Sequence, residues 1–245
     1  MVGLVAAQPV SPRVLLRDAP RSLSELSREH RDGWGVASWN GEGWHVEKST
    51  LCAAVCVRYA QVADHAPANL LIAHVRQKTV GDTSLENTHP FRRSIAGCDM
   101  VFAHNGTVRD VSALMKQVSE SRAEEIVGDT DSERLFAFVA TAIDDAPNIE
   151  EGVREAVARL HALHAVSDVG SITFLLSCGE RLYAHRLGRT LHLLQRGIEV
   201  NTRRTAAVVL ASERLTDEPW QEVAEGSLIK VERAADATPT FSRLI

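Results

Sequence analysis

Five short polar clusters hold the side chains most able to do chemistry. In chain order they are Arg31-Asp32-Gly33-Trp34-Gly35, Ala73-His74-Val75-Arg76-Gln77, Glu86-Asn87-Thr88-His89-Pro90-Phe91, Ala103-His104-Asn105-Gly106 and Gly128-Asp129-Thr130-Asp131-Ser132-Glu133. The three histidines His74, His89 and His104 invite metal ligation, but no carboxylate or thiol stands at a ligand-like spacing from them. They read instead as side chains that support a site. His161 and His164, three apart in an amphipathic stretch, read as surface or packing residues. Taken singly, each cluster has an ordinary structural explanation. Asp-Gly-Trp-Gly suits a turn, His-Asn-Gly a hairpin, and Thr130 or Asp131 the cap of a helix.

Their order and spacing together resemble the class II glutamine amidotransferases, most closely the small stand-alone members, from Gly3 to about Phe138. Ala211-Ser212-Glu213 adds weaker support near the end. The resemblance implies an N-terminal-nucleophile hydrolase fold, an α+β four-layer αββα sandwich. It also implies hydrolysis of the γ-amide of glutamine or of a γ-glutamyl compound. On this resemblance Arg76 clamps the substrate α-carboxylate, a task that suits a planar bidentate donor. Asp131 holds the α-ammonium, and His89 stands beside this substrate-binding pair. Asn105 and Gly106 supply an oxyanion hole from an amide side chain and a backbone N–H. Glycine there lets the backbone approach the substrate closely. The resemblance implies no metal and no cofactor.

One residue departs from the pattern. The active family carries cysteine directly after the initiator methionine, where the freed α-amine manages the proton of the attacking thiol. Here that position is Val2, and the following Gly3-Leu4-Val5-Ala6 fits the family's first strand. Cys52 and Cys56 fall on an expected helix, and Cys98 at the wrong end of a strand for attack. Ser11 would become an N-terminal nucleophile only by a cleavage that discards the first strand. As written, the chain is expected to be inactive in γ-amide hydrolysis. It is then a disabled enzyme, a natural pseudoenzyme that binds glutamine or γ-glutamyl ligands or serves as a partner-binding scaffold, or a chain whose true start differs.

The elements that must position these groups are read from periodicity. Residues 3–8 read as a buried strand, and 22–30 as a helix with Leu23 and Leu26 on one side. Gly33–Trp39 and Trp44–Lys48 read as strands joined through Asn40-Gly41, a dipeptide suited to a tight hairpin. Residues 51–63 have helical spacing, while Leu70–Val75 and Met100–His104 have strand length and end in polar residues. Asp131–Asp144 and Ile149–His164 repeat apolar residues at helical spacing. A meander comes next, at Ser171–Ser177, Arg181–Leu187, Thr190–Gln195, Thr205–Ser212 and Ser227–Val231. Strands, then helices, then strands favour a layered α+β domain over alternating βαβ units.

A single domain over residues 1–245 is expected, with a loose polar tail from Ala234. Residues 139–245 are then used in completing the sandwich, so any synthase or acceptor of ammonia would be a partner subunit. Apolar residues make up 44% and charged residues 24% of the 245, the balance of a chain with a real core. The net charge of −5, from 27 basic and 32 acidic residues without a basic stripe, argues against nucleic acid as a partner. No apolar run approaches membrane-spanning length. Four scattered cysteines with no CxxC pair suit a reducing, cytoplasmic setting.

Overall fold

The computed structural model describes residues 1–65, 67–200, 203–233 and 238–245. The apolar N-terminal run becomes strand β1 (Val2–Val10). A π turn at Val14–Asp18 and the short helix α1 (Leu23–Leu26) lead into the hairpin of β2 (Trp34–Trp39) and β3 (Trp44–Ser49). A 3-10 turn at Ala53–Val55 precedes helix α2 (Val57–His65) and β4 (Ala68–Val75). Next come β5 (Phe91–Ile95), β6 (Cys98–Val108) and the short helices α3 (Val111–Met115) and α4 (Glu120–Glu124). Two long helices, α5 (Asp131–Asp144) and α6 (Ile149–Val166), are followed by β7 (Gly170–Ser177) and β8 (Arg181–His185). The chain ends with β9 (His192–Val200), β10 (Arg203–Ala211), β11 (Gln221–Glu222), β12 (Leu228–Glu232) and β13 (Thr240–Arg243).

These strands make two antiparallel sheets, ordered β11-β9-β10-β1-β4-β2-β3 and β13-β12-β8-β7-β6-β5. Three apolar clusters define four layers. Val2, Leu4 and Ala6 of β1 point outward to pack with Leu23 and Tyr59 beneath α1 and α2. The alternate residue Val5 points inward, with Leu70, Ile72 and Leu210, against Val101, Leu175, Leu182 and Ala184 of the second sheet. On that sheet's outer face, Phe102 and Phe174 meet Phe136, Phe138 and Val157 of α5 and α6. The Phe102 and Phe136 rings stack with centroids 4.8 Å apart, worth about 0.5–1.5 kcal/mol beyond their burial. The order is therefore helix, sheet, sheet, helix. From Val2 to Ala7 β1 is covered on both faces, and that stretch is a continuous apolar run rather than an alternating one, whereas Gln8 and Pro9 are exposed.

Helix α5 has the bounds its periodicity predicts, and α6 runs two residues longer than expected. Other elements differ for local reasons. The helix expected over residues 22–30 is regular only at Leu23–Leu26, and the chain then continues in turns. The helical stretch of 51–63 splits, with Cys52 before the 3-10 turn and Cys56 between it and α2, so neither cysteine lies in a helix. The β2–β3 connection spans residues 40–43. Asn40 Oδ1 accepts from the backbone N–H groups of Glu42 (3.0 Å) and Gly43 (3.2 Å), and only Gly41 of the expected pair has positive φ. His104-Asn105-Gly106 is not a hairpin turn but the body of β6, paired to β7. The tail expected to be loose is hydrogen-bonded at Thr240–Arg243, where β13 pairs β12. Its first residues, 234–237, lie outside the described residues.

Candidate functional site

The ends of β4, β6 and β10, the start of β1 and the first turn of α5 converge on one cavity of about 240 Å³. Arg76, His89, Asn105, Gly106 and Asp131 all line it, joined by Met1, His30, His74, His104, Ser132, Arg189, Ser212 and Glu213. Val2 is not brought to the cavity. It is fully buried, paired with Ala73 and Ala211, and packs in the cluster under the first helical layer. Met1 takes the place on the wall. Its α-amine donates to Ser212 Oγ (3.1 Å), and Ser212 N–H donates back to the Met1 carbonyl (3.0 Å). Burial pulls that amine down from the usual 8.0 to about 6, with Glu213 opposing. None of the four cysteines lines the cavity, and all four are free.

Arg76 comes directly after the last residue of β4 and is held by the Asp-Gly-Trp-Gly segment. Its N–H donates to the Gly33 carbonyl (2.8 Å), and its own carbonyl accepts from Asp32 N–H (3.0 Å). The Asp32 carboxylate then accepts from Lys78 N–H (2.7 Å), which braces the loop beyond Arg76. The guanidinium donates to the carbonyls of Asp82 (2.9 Å), Val80 (3.1 Å) and Gly81 (3.5 Å). A guanidinium has five N–H donors, so those bonds leave some free for a ligand. This is the role of Asp-Gly-Trp-Gly that the sequence alone did not disclose. Gly33 takes φ +128°, and a side chain on Gly35 would strike the His89 carbonyl. Trp34 is fully buried against Tyr59.

Asp131 opens α5 but does not cap it. Thr130 is the N-cap, its side chain accepting from Glu133 N–H (3.2 Å). The Asp131 carboxylate is thereby released to accept from Val108 N–H (2.6 Å) across to β6. Glu133 accepts from the N–H groups of Val127 (3.1 Å) and Gly128 (2.7 Å), which fixes the loop before the helix. Asn87 ties that loop to the one beyond Arg76: its Oδ1 accepts from Asp129 N–H (3.0 Å) and its Nδ2 donates to the Asp82 carbonyl (3.0 Å).

Asn105 and Gly106 pair with Thr173 and Ile172 of β7. Gly106 has φ +156°, and a Cβ there would collide with the Ser171 carbonyl, so only glycine fits. His104 donates through Nε2 to that same carbonyl (3.0 Å), which leaves Nδ1 to accept from Ser132 Oγ (2.9 Å). His74 and His89 lie with ring centroids 4.5 Å apart. Both ring nitrogens of His89 and Nδ1 of His74 are buried without a hydrogen-bond partner among the described residues. Burial drives both imidazoles far below their usual range, so they are neutral at pH 7. No group of three or more His, Cys, Asp or Glu with metal-holding geometry occurs among the described residues. Sequence reasoning had no signal for Met1, His30 or Arg189 as cavity residues, because their loops meet only in the folded chain.

Two antiparallel sheets between helical layers, with a polar cavity where the strand ends meet β1, define an N-terminal-nucleophile-type hydrolase fold. The model of the class-II glutamine amidotransferases matches residues 2–243. The chain belongs to that family. It is 30% identical over 181 residues to a Haemophilus influenzae protein described as a candidate glutamine amidotransferase, spanning 72% of this chain and 58% of that one. An Escherichia coli protein of like description, YafJ, is 28% identical over 218 residues, 80% of this chain and 83% of its own. An uncharacterised Methanocaldococcus jannaschii protein is 29% identical over 233 residues, 85% of this chain and 63% of that one. The chain thus spans less than two thirds of the length of two of these three relatives. Among solved structures, a Pseudomonas aeruginosa protein described as a candidate glutamine amidotransferase superposes with TM-score 0.66 at 21% identity, covering 100% of this chain and 98% of that one. The Bacillus subtilis glutamine phosphoribosylpyrophosphate amidotransferase gives 0.69 at 20% identity, covering 99% of this chain and 48% of that one. No helix among the described residues is long and apolar enough to cross a membrane.

Proposed function

We propose that residues 1–245 form one glutaminase-type domain that binds L-glutamine or a γ-glutamyl compound and, as written, does not cleave its γ-amide. The observation that carries this reading is the convergence of Arg76, His89, Asn105, Gly106 and Asp131, from four separated stretches, on one cavity. Its volume of about 240 Å³ lies just below the usual range for drug-sized ligands, about 300–1,000 Å³, which suits an amino acid. In this reading Arg76 takes the α-carboxylate and Asp131 the α-ammonium. Asn105 and Gly106 face the amide oxygen, and the neutral His89 offers a donor and an acceptor beside them. The missing step is nucleophilic attack, since no thiol lines the cavity and Val2 is in the core. In an active form, released ammonia would go to water or to a synthase partner, and the protein would work in the cytoplasm.

The test is glutamate release from L-glutamine and γ-glutamyl peptides by Val2→Cys beside the parent. Because Met1 occupies the cavity wall, intact mass must first show that the methionine has been removed from the variant. Turnover by Val2→Cys alone is expected once removal of Met1 frees residue 2 to turn its side chain from the core onto the vacated wall; failure of a processed, folded variant would remove the amidohydrolase reading. The second reading, a non-catalytic binder, is favoured by the burial of Val2. It predicts a thermal shift with L-glutamine that Arg76→Ala abolishes.

A further inference from the structure

The cavity holds a second arrangement that the glutaminase reading does not use. Ser132 and His104 both line it, and both are almost fully buried. The His104 tautomer is set by its neighbours: Nε2 faces a carbonyl oxygen, Ser171 at 3.0 Å, and must carry the proton. Nδ1 is then an acceptor, 2.9 Å from Ser132 Oγ. Among the described residues, the competing acceptor for that hydroxyl is Asp131 Oδ1, at 3.5 Å and correspondingly weak. A serine hydroxyl donating to an imidazole whose far nitrogen is anchored has the parts of an activated nucleophile. Burial keeps the ring below its usual pKa, hence neutral and able to accept a proton at pH 7. The next residue after His104 on β6 is Asn105, which lines the same cavity and carries an amide of the kind that can donate to an oxyanion.

We propose that Ser132 and His104 form a nucleophile–base pair that cleaves a carboxylic ester or amide bearing an α-ammonium group. The orientation rests on the reading of Asp131 as the ammonium site. Ser132 directly follows Asp131, so with an ammonium on Oδ1 the carbonyl on the same α-carbon lies nearer to Oγ than a γ-carbonyl does. Esterified or amidated, that carbonyl takes the place the glutaminase reading gives to the α-carboxylate, and Arg76 meets its oxygen in place of a carboxylate. The substrate is therefore an α-ester or α-amide of an amino acid, not a γ-amide. Ser132 Oγ attacks the carbonyl carbon while its proton passes to His104 Nδ1. The tetrahedral intermediate collapses, the bond to the leaving oxygen or nitrogen breaks, and Nδ1 returns the proton to that atom. Water then attacks the acyl-serine, giving its proton to Nδ1. The carboxylic acid leaves and Ser132 regains its hydrogen.

The alternative is that the Ser132 hydroxyl only ties α5 to β6, and a serine-directed fluorophosphonate separates the two. The full chain is incubated with the probe and followed by intact mass and peptide mapping. An adduct on Ser132 is expected, forming at least tenfold more slowly in His104→Asn, whose amide can accept the hydroxyl hydrogen but cannot take up the proton. No adduct in the folded chain, or equal labelling of folded His104→Asn, would overturn the pair. Because His104→Asn could unfold, Ser132→Ala supplies a second readout with esters. The parent is expected to hydrolyse the α-methyl ester of L-glutamine over the γ-methyl ester of L-glutamate, and Ser132→Ala to lose that activity at least tenfold. Preference for the γ-ester, or unchanged hydrolysis in Ser132→Ala, would overturn the assignment. The L-glutamine thermal shift of the parent, run in parallel, shows whether the binding reading has failed instead.

Discussion

At the scale of single residues, small and buried groups set what the cavity can hold. Gly106 has no room for a methyl group beside the Ser171 carbonyl and sits at φ +156°. Gly106→Ala should therefore cost about 2 kcal/mol or more, from overpacking and backbone strain together. Urea unfolding would measure it, and an unchanged midpoint would contradict the close approach. The Met1 amine makes a second prediction. With a folded pKa of about 6 against about 8 unfolded, the native chain binds fewer protons between those values, so stability rises with pH through the window. From pH 7 to 8.5, above the histidine range, the unfolding free energy should grow by about 1 kcal/mol. A flat profile there would mean that the amine is hydrated rather than buried against Ser212.

At the scale of elements, caps and cross-links decide where the site's side chains arrive. The two long helices start on side-chain caps: Thr130 on α5, and Asn148 on α6, where Oδ1 accepts from Glu151 N–H (3.0 Å). Asn148→Ala should lower stability by about 1 kcal/mol and leave ligand-induced thermal shifts unchanged, since α6 packs on the far layer. A loss of ligand response in that variant would show that α6 influences the cavity. The cap on α5 matters differently, because Thr130 frees Asp131 to reach Val108 on β6. From the sequence, Thr130 and Asp131 were equal candidates for the cap. Only the position of β6 beside the first turn of α5 distinguishes them.

Across the whole molecule, acid sensitivity is built into the interior. His74, His89 and His185 are buried and neutral, and His185 is pushed down to about 3 by burial and by His161, 3.0 Å away. The unfolded chain binds protons on these rings from pH 6.5 downward while the native chain does not. Stability therefore falls as pH falls through 6.5 toward those low values. Between pH 6.5 and 5, before most carboxylates titrate, the loss should be about 1–2 kcal/mol for each ring that stays neutral. Urea midpoints at the two pH values test this, and equal midpoints would mean that the rings are protonated in the fold.

The sequence by itself determined the long helix α5, the buried first strand and, through the resemblance its motifs carry, the family with its layered fold. Apolar periodicity in Asp131–Asp144, the apolar run Val2–Ala7 of β1 and the order of five polar motifs are local patterns, and local patterns survive without coordinates. What only the tertiary structure decided are relations between distant segments. Asp-Gly-Trp-Gly turned out to be the brace behind Arg76, because Asp32 and Gly33 pair with it across two strands. The edge strands β5 and β13 carry too few buried side chains to announce themselves, and take their shape from the neighbours they pair with. Val2 was identified as the position of the absent nucleophile by its place in the chain. Whether it faces the cavity depends on the pleat of β1 between β10 and β4, which turns Val2 into the core and leaves Met1 on the wall.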